Sequence, residues 1–201
     1  MVLHNKLNIT HQVDLSLAEE RISKRNAKHL FDSGDINTLS VGTFAGLAAI
    51  HKALFAEIYD FAGELRTVNI AKGNFRFAPL MYLTQSLAHI DAMPHTTFDE
   101  IIDKYVEMNI AHPFREGNGR ATRLWLDALL KNQLQQVIDW NLVDKEVYLS
   151  AMERSVVNAL EIKTLLKAAL TTDINNRTLF MKGLDVSYFY EGYTHFKTEN
   201  L

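Results

Sequence analysis

Apolar residues recur at three- and four-residue intervals along most of the chain, and that period predicts a mainly helical fold. Ser16 followed by Glu19 has the form of a capping box, which predicts a helix from there through about Leu30, stopped by Gly34. Its alternating acidic and basic residues predict a solvated face. Leu47, Ile50, Leu54 and Ile58 predict a core helix within 40–62, with Phe55, Tyr59 and Phe61 as packing residues. His51 lies beside that stripe and reads as structural or partly exposed, and Gly63 lets the chain turn out. The period then changes over 64–79. Thr67, Val68 and Ile70 have strand character, Lys72-Gly73-Asn74 can reverse the chain, and Phe75-Arg76-Phe77 resumes an extended pattern up to Pro79. By itself this small hairpin is a sheet ornament on a helical domain. Its functional reading is a flap that offers unpaired backbone groups to an extended target segment.

Helical periodicity returns over 80–92, and Thr97 with Glu100 forms a second capping box leading into Ile101, Ile102, Tyr105, Val106 and Met108. Ala121 to Leu130 predicts a helix ending near Asn132, followed by helices around 144–153, 159–170 and 175–181. Gly183 is expected to separate the last of these from a short terminal segment capped by Asp185. With no repeat, low-complexity stretch or long linker, the expectation is one mainly α domain over 1–201, compact and helical with a small β-hairpin flap.

The 201 residues suffice for a sizeable core but leave little room for a second catalytic domain. Lys and Arg number 21 against 24 Asp and Glu, so a net charge of -3 predicts no direct nucleic-acid or membrane partner, and any anion site must be local. The absence of cysteine excludes thiolate chemistry and disulfide support. No signal-like or spanning apolar run is present, and the expectation is a soluble, cytoplasmic protein.

The densest chemistry lies in His112 to Arg123. Gly117-Asn118-Gly119 can turn tightly and expose consecutive N–H groups as an anion nest, and a helix beginning at about 119–120 would point its amides into the same place. Arg120 and Arg123 are neighbours on such a helix, and their forked donors suit several phosphates. Glu116 supplies one hard oxygen for magnesium, too few for a protein cage, so the ion is expected to arrive with the nucleotide. His112, before Pro113, has the chemistry of a general base near neutral pH, and Phe114 can anchor the loop. A lone histidine would more often be structural; the phosphate constellation beside it reverses that. The residues do not form the longer Walker loop, and the chemistry leaves open nucleotide handling, another polyanion site or a structural loop.

HPFREGNGRATR resembles the signature of the Fic-domain family, H-x-F-x-[DE]-G-N-G-R-x-x-R, at every specified position. LFAEIYDFAGELRTVNIAKGNFRF also resembles that family's helix and flap, so the likeness covers most of the chain. The resemblance implies a Fic fold and protein adenylyltransferase activity, in which AMP passes from ATP to a Tyr, Ser or Thr hydroxyl of a target protein and pyrophosphate leaves. It implies His112 as base, Glu116 as magnesium ligand, Gly117, Asn118 and Gly119 around the phosphates, and Arg120 and Arg123 on the outer ones. Phe114 would be a supporting core residue. Lys72, Gly73, Asn74, Phe75, Arg76 and Phe77 would align the target backbone. A related phosphotransferase branch carries lysine where this chain has Gly119, which favours AMP transfer; phosphocholine transfer is less expected with the full signature.

Ser187-Tyr188-Phe189-Tyr190-Glu191-Gly192 resembles the [ST]-x-x-x-E-[GN] inhibitory motif of single-domain, class III-like Fic proteins. It implies an inhibitory helix at about 185–192 on which Ser187 and Glu191 share a face and Glu191 pairs with Arg123. The plainer reading is a solvated terminal helix with packed aromatics. The resemblance further implies Tyr188 as a self-modification site once released, self-association as an inhibitory oligomer, and bacterial DNA gyrase B as a target. AMP removal using Glu191, phosphotransfer, or a nucleotide-responsive binding module without transfer are the alternatives.

Overall fold

The structure, a computed structural model, describes residues 2–73 and 75–201. Among these residues it contains eight α-helices: α1 (Gln12–Asp32), α2 (Phe44–Phe55), α3 (Leu80–Ala92), α4 (Phe98–Ala111), α5 (Asn118–Leu134), α6 (Lys145–Arg154), α7 (Leu160–Ala168) and α8 (Arg177–Phe189). Two antiparallel ribbons accompany them: β1 (Ala71–Lys72) with β2 (Phe75–Arg76), and β3 (Val137–Ile138) with β4 (Leu170–Thr171). The mainly helical class with a small hairpin is as expected. No described helix is long and apolar enough to cross a membrane.

The centre of the fold is α5. Ala121, Trp125, Leu126, Leu129 and Leu130 are buried, and the helix packs against α2, α4 and α8. Facing it, α2 supplies Leu47, Ile50 and Leu54, while α4 supplies Ile101, Ile102, Tyr105 and Met108. The indole of Trp125 also donates to the Thr43 carbonyl at 3.0 Å, tying the start of α2 to the middle of α5. The expected capping box of α4 is complete: Glu100 N donates to Thr97 Oγ1 at 3.3 Å, and Thr97 N to Glu100 Oε2 at 3.0 Å.

Several local expectations are corrected. Helix α1 begins at Gln12, not Ser16, and its N-cap His11 makes no side-chain cap bond. Burial of Leu15, one residue ahead of the local start signal, holds the extra N-terminal turn against the core. The face expected to be solvated is sealed instead, with Glu19, Glu20 and Lys24 each at most 2% exposed. Helix α2 stops at Phe55, and 56–62 are mostly turns in which Ile58 and Tyr59 still reach the core. The flap strands are two residues each, and Thr67, Val68 and Ile70 lie outside them. The second ribbon was not expected from periodicity, because two-residue strands carry almost none.

Gly183 does not break the chain. It lies inside the continuous α8, where an added Cβ would come within 3.3 Å of the Trp140 ring, so glycine permits the close approach of helix and indole. The helix cap is Asn176, whose side chain accepts from Leu179 N. Asp185 is therefore mid-helix and accepts from Thr198 N at 3.0 Å instead of capping.

Candidate active site

Helix α4 delivers His112 to the site as its C-cap, in the left-handed region at φ 48°. That conformation is costly for a side-chain-bearing residue before proline, so neighbouring contacts must hold it. Arg66 supplies them. Its Nε donates to the His112 carbonyl at 2.8 Å, its NH1 to Val68 O at 2.7 Å, and its NH2 to the carbonyls of Ala78 and Ala111. One buried guanidinium thus ties both legs of the flap to the end of α4.

The flap covers the histidine. Phe77 stacks on the His112 ring with centroids 3.6 Å apart, and Phe75 meets Phe77 edge-on at 5.0 Å. Gly73 turns the hairpin at φ 59°, whereas Asn74 lies outside the described residues. Lys72 bears electrostatically on both His112 and Glu191, and Arg76 is exposed. Burial pushes the His112 ring down from 6.5 to about 4; Arg66 and Lys72 add to that shift, against the Asn109 carbonyl and Glu191. The ring is therefore neutral near pH 7. Its Nδ1 is buried without an aligned hydrogen-bond partner.

Between α4 and α5 the loop is held from inside. Phe114 is fully buried and stacks on His51 at 3.8 Å. Asn118 uses its side chain within the loop: Oδ1 accepts from Phe114 N, and Nδ2 donates to Phe114 O, both at 2.8 Å. The Asn118 side-chain polar groups are committed here, and its backbone amide is the group left to face an anion. Gly117 has φ 75°, and a Cβ there would collide with the Phe55 ring. The first intrahelical bond of α5 runs from Ala121 N to Gly117 O, so the amides of 118–120 precede it as a helix N-terminus.

Arg120 and Arg123 project from the first turns of α5 and are both buried. Arg123 donates from Nε to Ser187 Oγ at 2.6 Å, and from NH2 to Ser187 O at 2.9 Å and Glu191 Oε1 at 2.6 Å. The predicted pairing of Glu191 with Arg123 is therefore present. Glu191 lies in the turn just past α8, and its Oε2 also approaches Arg120 Nε at 2.8 Å, an ion contact without hydrogen-bond alignment. Although burial acts to raise the Glu191 carboxyl, Arg120 and Arg123 outweigh it and hold it below the usual range. A Cβ on Gly119 would run into Glu191 Oε1, which puts residue 119 at the edge of this anion position.

Glu116 accepts from Gly117 N at 3.0 Å and from Arg120 NH2 at 3.1 Å, with 41% of its side chain exposed. Burial and the nearby Glu19 and Glu191 push its carboxyl up, against Arg120. No described cluster of three acidic, His or Cys residues could hold a metal. The single exposed carboxylate suits an ion that brings other oxygens with it. Tyr188 is fully buried, and its hydroxyl donates to Ser23 Oγ at 2.8 Å.

Two contributors, Arg66 and Glu19, were missed from the sequence, and His51, read there as structural or partly exposed, is a buried structural bridge. Arg66 carried no local signal, since its partners are backbone carbonyls from separate segments. His51 accepts from Gly63 N at its Nδ1 and lies 2.9 Å from Glu116 O through Nε2, bridging the flap base and the motif loop. Glu19 accepts from Arg120 NH1 at 2.6 Å, although its alternating-charge context pointed to solvent.

Residues 43–130 match the Fic/DOC family. Over 166 residues the chain is 30% identical to the probable protein adenylyltransferase y4lH of Sinorhizobium fredii, covering 77% of this chain and 83% of that one. The chain belongs to the Fic/DOC family. It is 29% identical over 197 residues to the protein adenylyltransferase VbhT of Bartonella schoenbuchensis, covering 92% of this chain but only 40% of VbhT. The Fic fold is matched in BepC of Bartonella tribocorum with bound AMPPNP, at TM-score 0.68 and 19% identity over 85% of this chain and 93% of that one. A Fic domain from Bartonella quintana with bound ADP matches at TM-score 0.69 and 20% identity, over 85% and 91%. The Fic/DOC match takes in the flap and the 112–123 motif, and stops short of Glu191.

Proposed function

We propose that this Fic protein is an adenylyltransferase that transfers AMP from ATP to a Tyr, Ser or Thr hydroxyl of a target protein, and that Glu191 restrains it. The observation that carries this reading is the Glu191 carboxylate seated between Arg120 and Arg123 at the N-terminus of α5, beside a neutral histidine under a flap. A carboxylate there stands in for the oxygens of a phosphate group.

When Glu191 withdraws, the two arginines receive the outer phosphates and the 118–120 amides face the chain of phosphates. The flap aligns the target. His112 takes the hydroxyl proton at Nε2, the target oxygen forms a bond to the α-phosphorus, and the bond from that phosphorus to the β-bridging oxygen breaks as pyrophosphate leaves. Glu116 would hold a magnesium ion that arrives with ATP and neutralises phosphate charge. At position 119 a side chain would enter the anion position, and glycine leaves it clear for phosphate. This favours AMP transfer over the phosphotransfer alternative.

ATP labelled separately at the α- and γ-phosphates tests the reaction. Incorporation of α-label with the mass of one AMP supports transfer, γ-label alone indicates phosphotransfer, and binding without label indicates a nucleotide-responsive module. Bacterial DNA gyrase B is a target to include in that assay, and self-association is followed by measuring mass in solution across protein concentration.

A further inference from the structure

Arg120 is surrounded by three carboxylates that differ in permanence. Glu116 is 41% exposed at its side chain, and Glu191 must leave if phosphate is to enter. Glu19, on α1, is 2% exposed and accepts from Arg120 NH1 at 2.6 Å. The same carboxylate accepts from the hydroxyls of Tyr59 and Tyr193, the latter at 2.6 Å. These bonds fix the acid in the core while leaving Arg120 Nε beside Glu191 and NH2 beside Glu116.

We propose that Glu19 is a positioning residue for phosphate binding: it grips NH1 of Arg120 from behind, so that the guanidinium stays aimed into the anion position after Glu191 withdraws. This rests on the reading that nucleotide phosphates take the place of Glu191. A guanidinium is a planar fork, and holding one nitrogen on a fixed carboxylate sets the direction of the others. The walls are aromatic, with Tyr193 and Phe55 centred 4.7 and 5.0 Å from the guanidinium carbon, and they supply no competing acceptor at those ring faces. Without Glu19 the buried cation, once Glu191 has withdrawn, would turn toward the more exposed Glu116. Burial acts to raise the Glu19 carboxyl, but Arg120 and the two tyrosines hold it below its usual range, so it remains an anion at neutral pH. Glu19 also lies outside the residues matched to the family, so its role belongs to how this chain's first helix meets the motif.

The test uses the full chain carrying Glu191→Gly as parent, with binding of non-hydrolysable ATP and of AMP measured separately. AMP lacks the outer phosphates and is insensitive to where Arg120 points. Glu19→Ala is expected to weaken ATP analogue binding by about tenfold or more while AMP affinity stays within about twofold. Glu19→Gln, which keeps an acceptor at the same reach, should recover most of the loss. Glu19→Asp, which keeps the charge but falls short, should not, and it provides the comparison if Glu19→Ala fails to fold. Equal losses for ATP analogue and AMP, or no loss for Asp relative to Gln, overturn the positioning role. A parent that binds the ATP analogue but incorporates no α-label overturns AMP transfer and leaves the binding comparison standing. A parent that does not bind the analogue overturns both.

Discussion

Arg66 Nε donates to the carbonyl oxygen of His112 at 2.8 Å, so the residue that roots the flap also holds the backbone of the proposed base. Flap position and base position are coupled through one side chain. Arg66→Ala would leave backbone carbonyls of His112, Val68, Ala78 and Ala111 without their shared donor. The expected result, in a Glu191→Gly background, is a loss of α-label transfer to protein on the order of tenfold or more, with ATP binding changed less than about threefold. Melting temperature is measured in parallel, because losing hydrogen bonds from a charged donor costs roughly 1.5–3 kcal/mol. Equal losses of binding and transfer would contradict a flap-rooting role.

Glu191→Gly removes the carboxylate that contacts Arg120 and Arg123. Transfer is expected to rise by about tenfold or more, since opposing even ~1.4 kcal/mol of pairing shifts an equilibrium by that factor. Ser187→Ala removes only the bond to Arg123 Nε and should give a smaller rise. An unchanged rate in a folded Glu191→Gly protein that binds ATP would remove the inhibitory assignment.

His112 and His51 are both pushed down by burial from 6.5 to about 4. A histidine depressed in the folded state favours folding as the neutral ring. Its contribution is complete above pH 6.5 and is lost as pH falls through about 4. Thermal stability should therefore decline between those values. The rate should not follow an ordinary histidine: kcat/KM measured at pH 7.5 and 5.5 is expected to agree within about twofold, whereas an unshifted base would lose roughly tenfold. Removing Glu191 lowers the His112 value further, because Glu191 opposes the shift.

Tyr188 is enclosed, with its hydroxyl on Ser23. Self-modification at this residue requires α8 to leave its place. Peptide mapping after incubation with α-labelled ATP should find little AMP on Tyr188 in the wild-type chain and more in Glu191→Gly. Equal labelling of the two would mean that the hydroxyl is reached without helix release.

The sequence by itself determined the helical class, the helix α3, the capping box of α4 and the composition of the 112–123 motif. Each is written in adjacent residues: hydrophobic period, paired caps, and a glycine-punctuated run of His, Glu, Asn and Arg. The pairing of Glu191 with Arg123 was also legible, through the resemblance of 187–192 to a family motif. Tertiary structure decided what local patterns could not carry. It sealed the α1 face around Glu19, drew Gly183 into a continuous helix against Trp140, and closed the Asn118 side chain onto Phe114. In each case a partner distant in space, or a close approach, outweighed the local preference. Burial was decisive for the charged residues, because a solvated glutamate and one buried against arginine carry the same local sequence signal, and only the packed fold supplies the arginine.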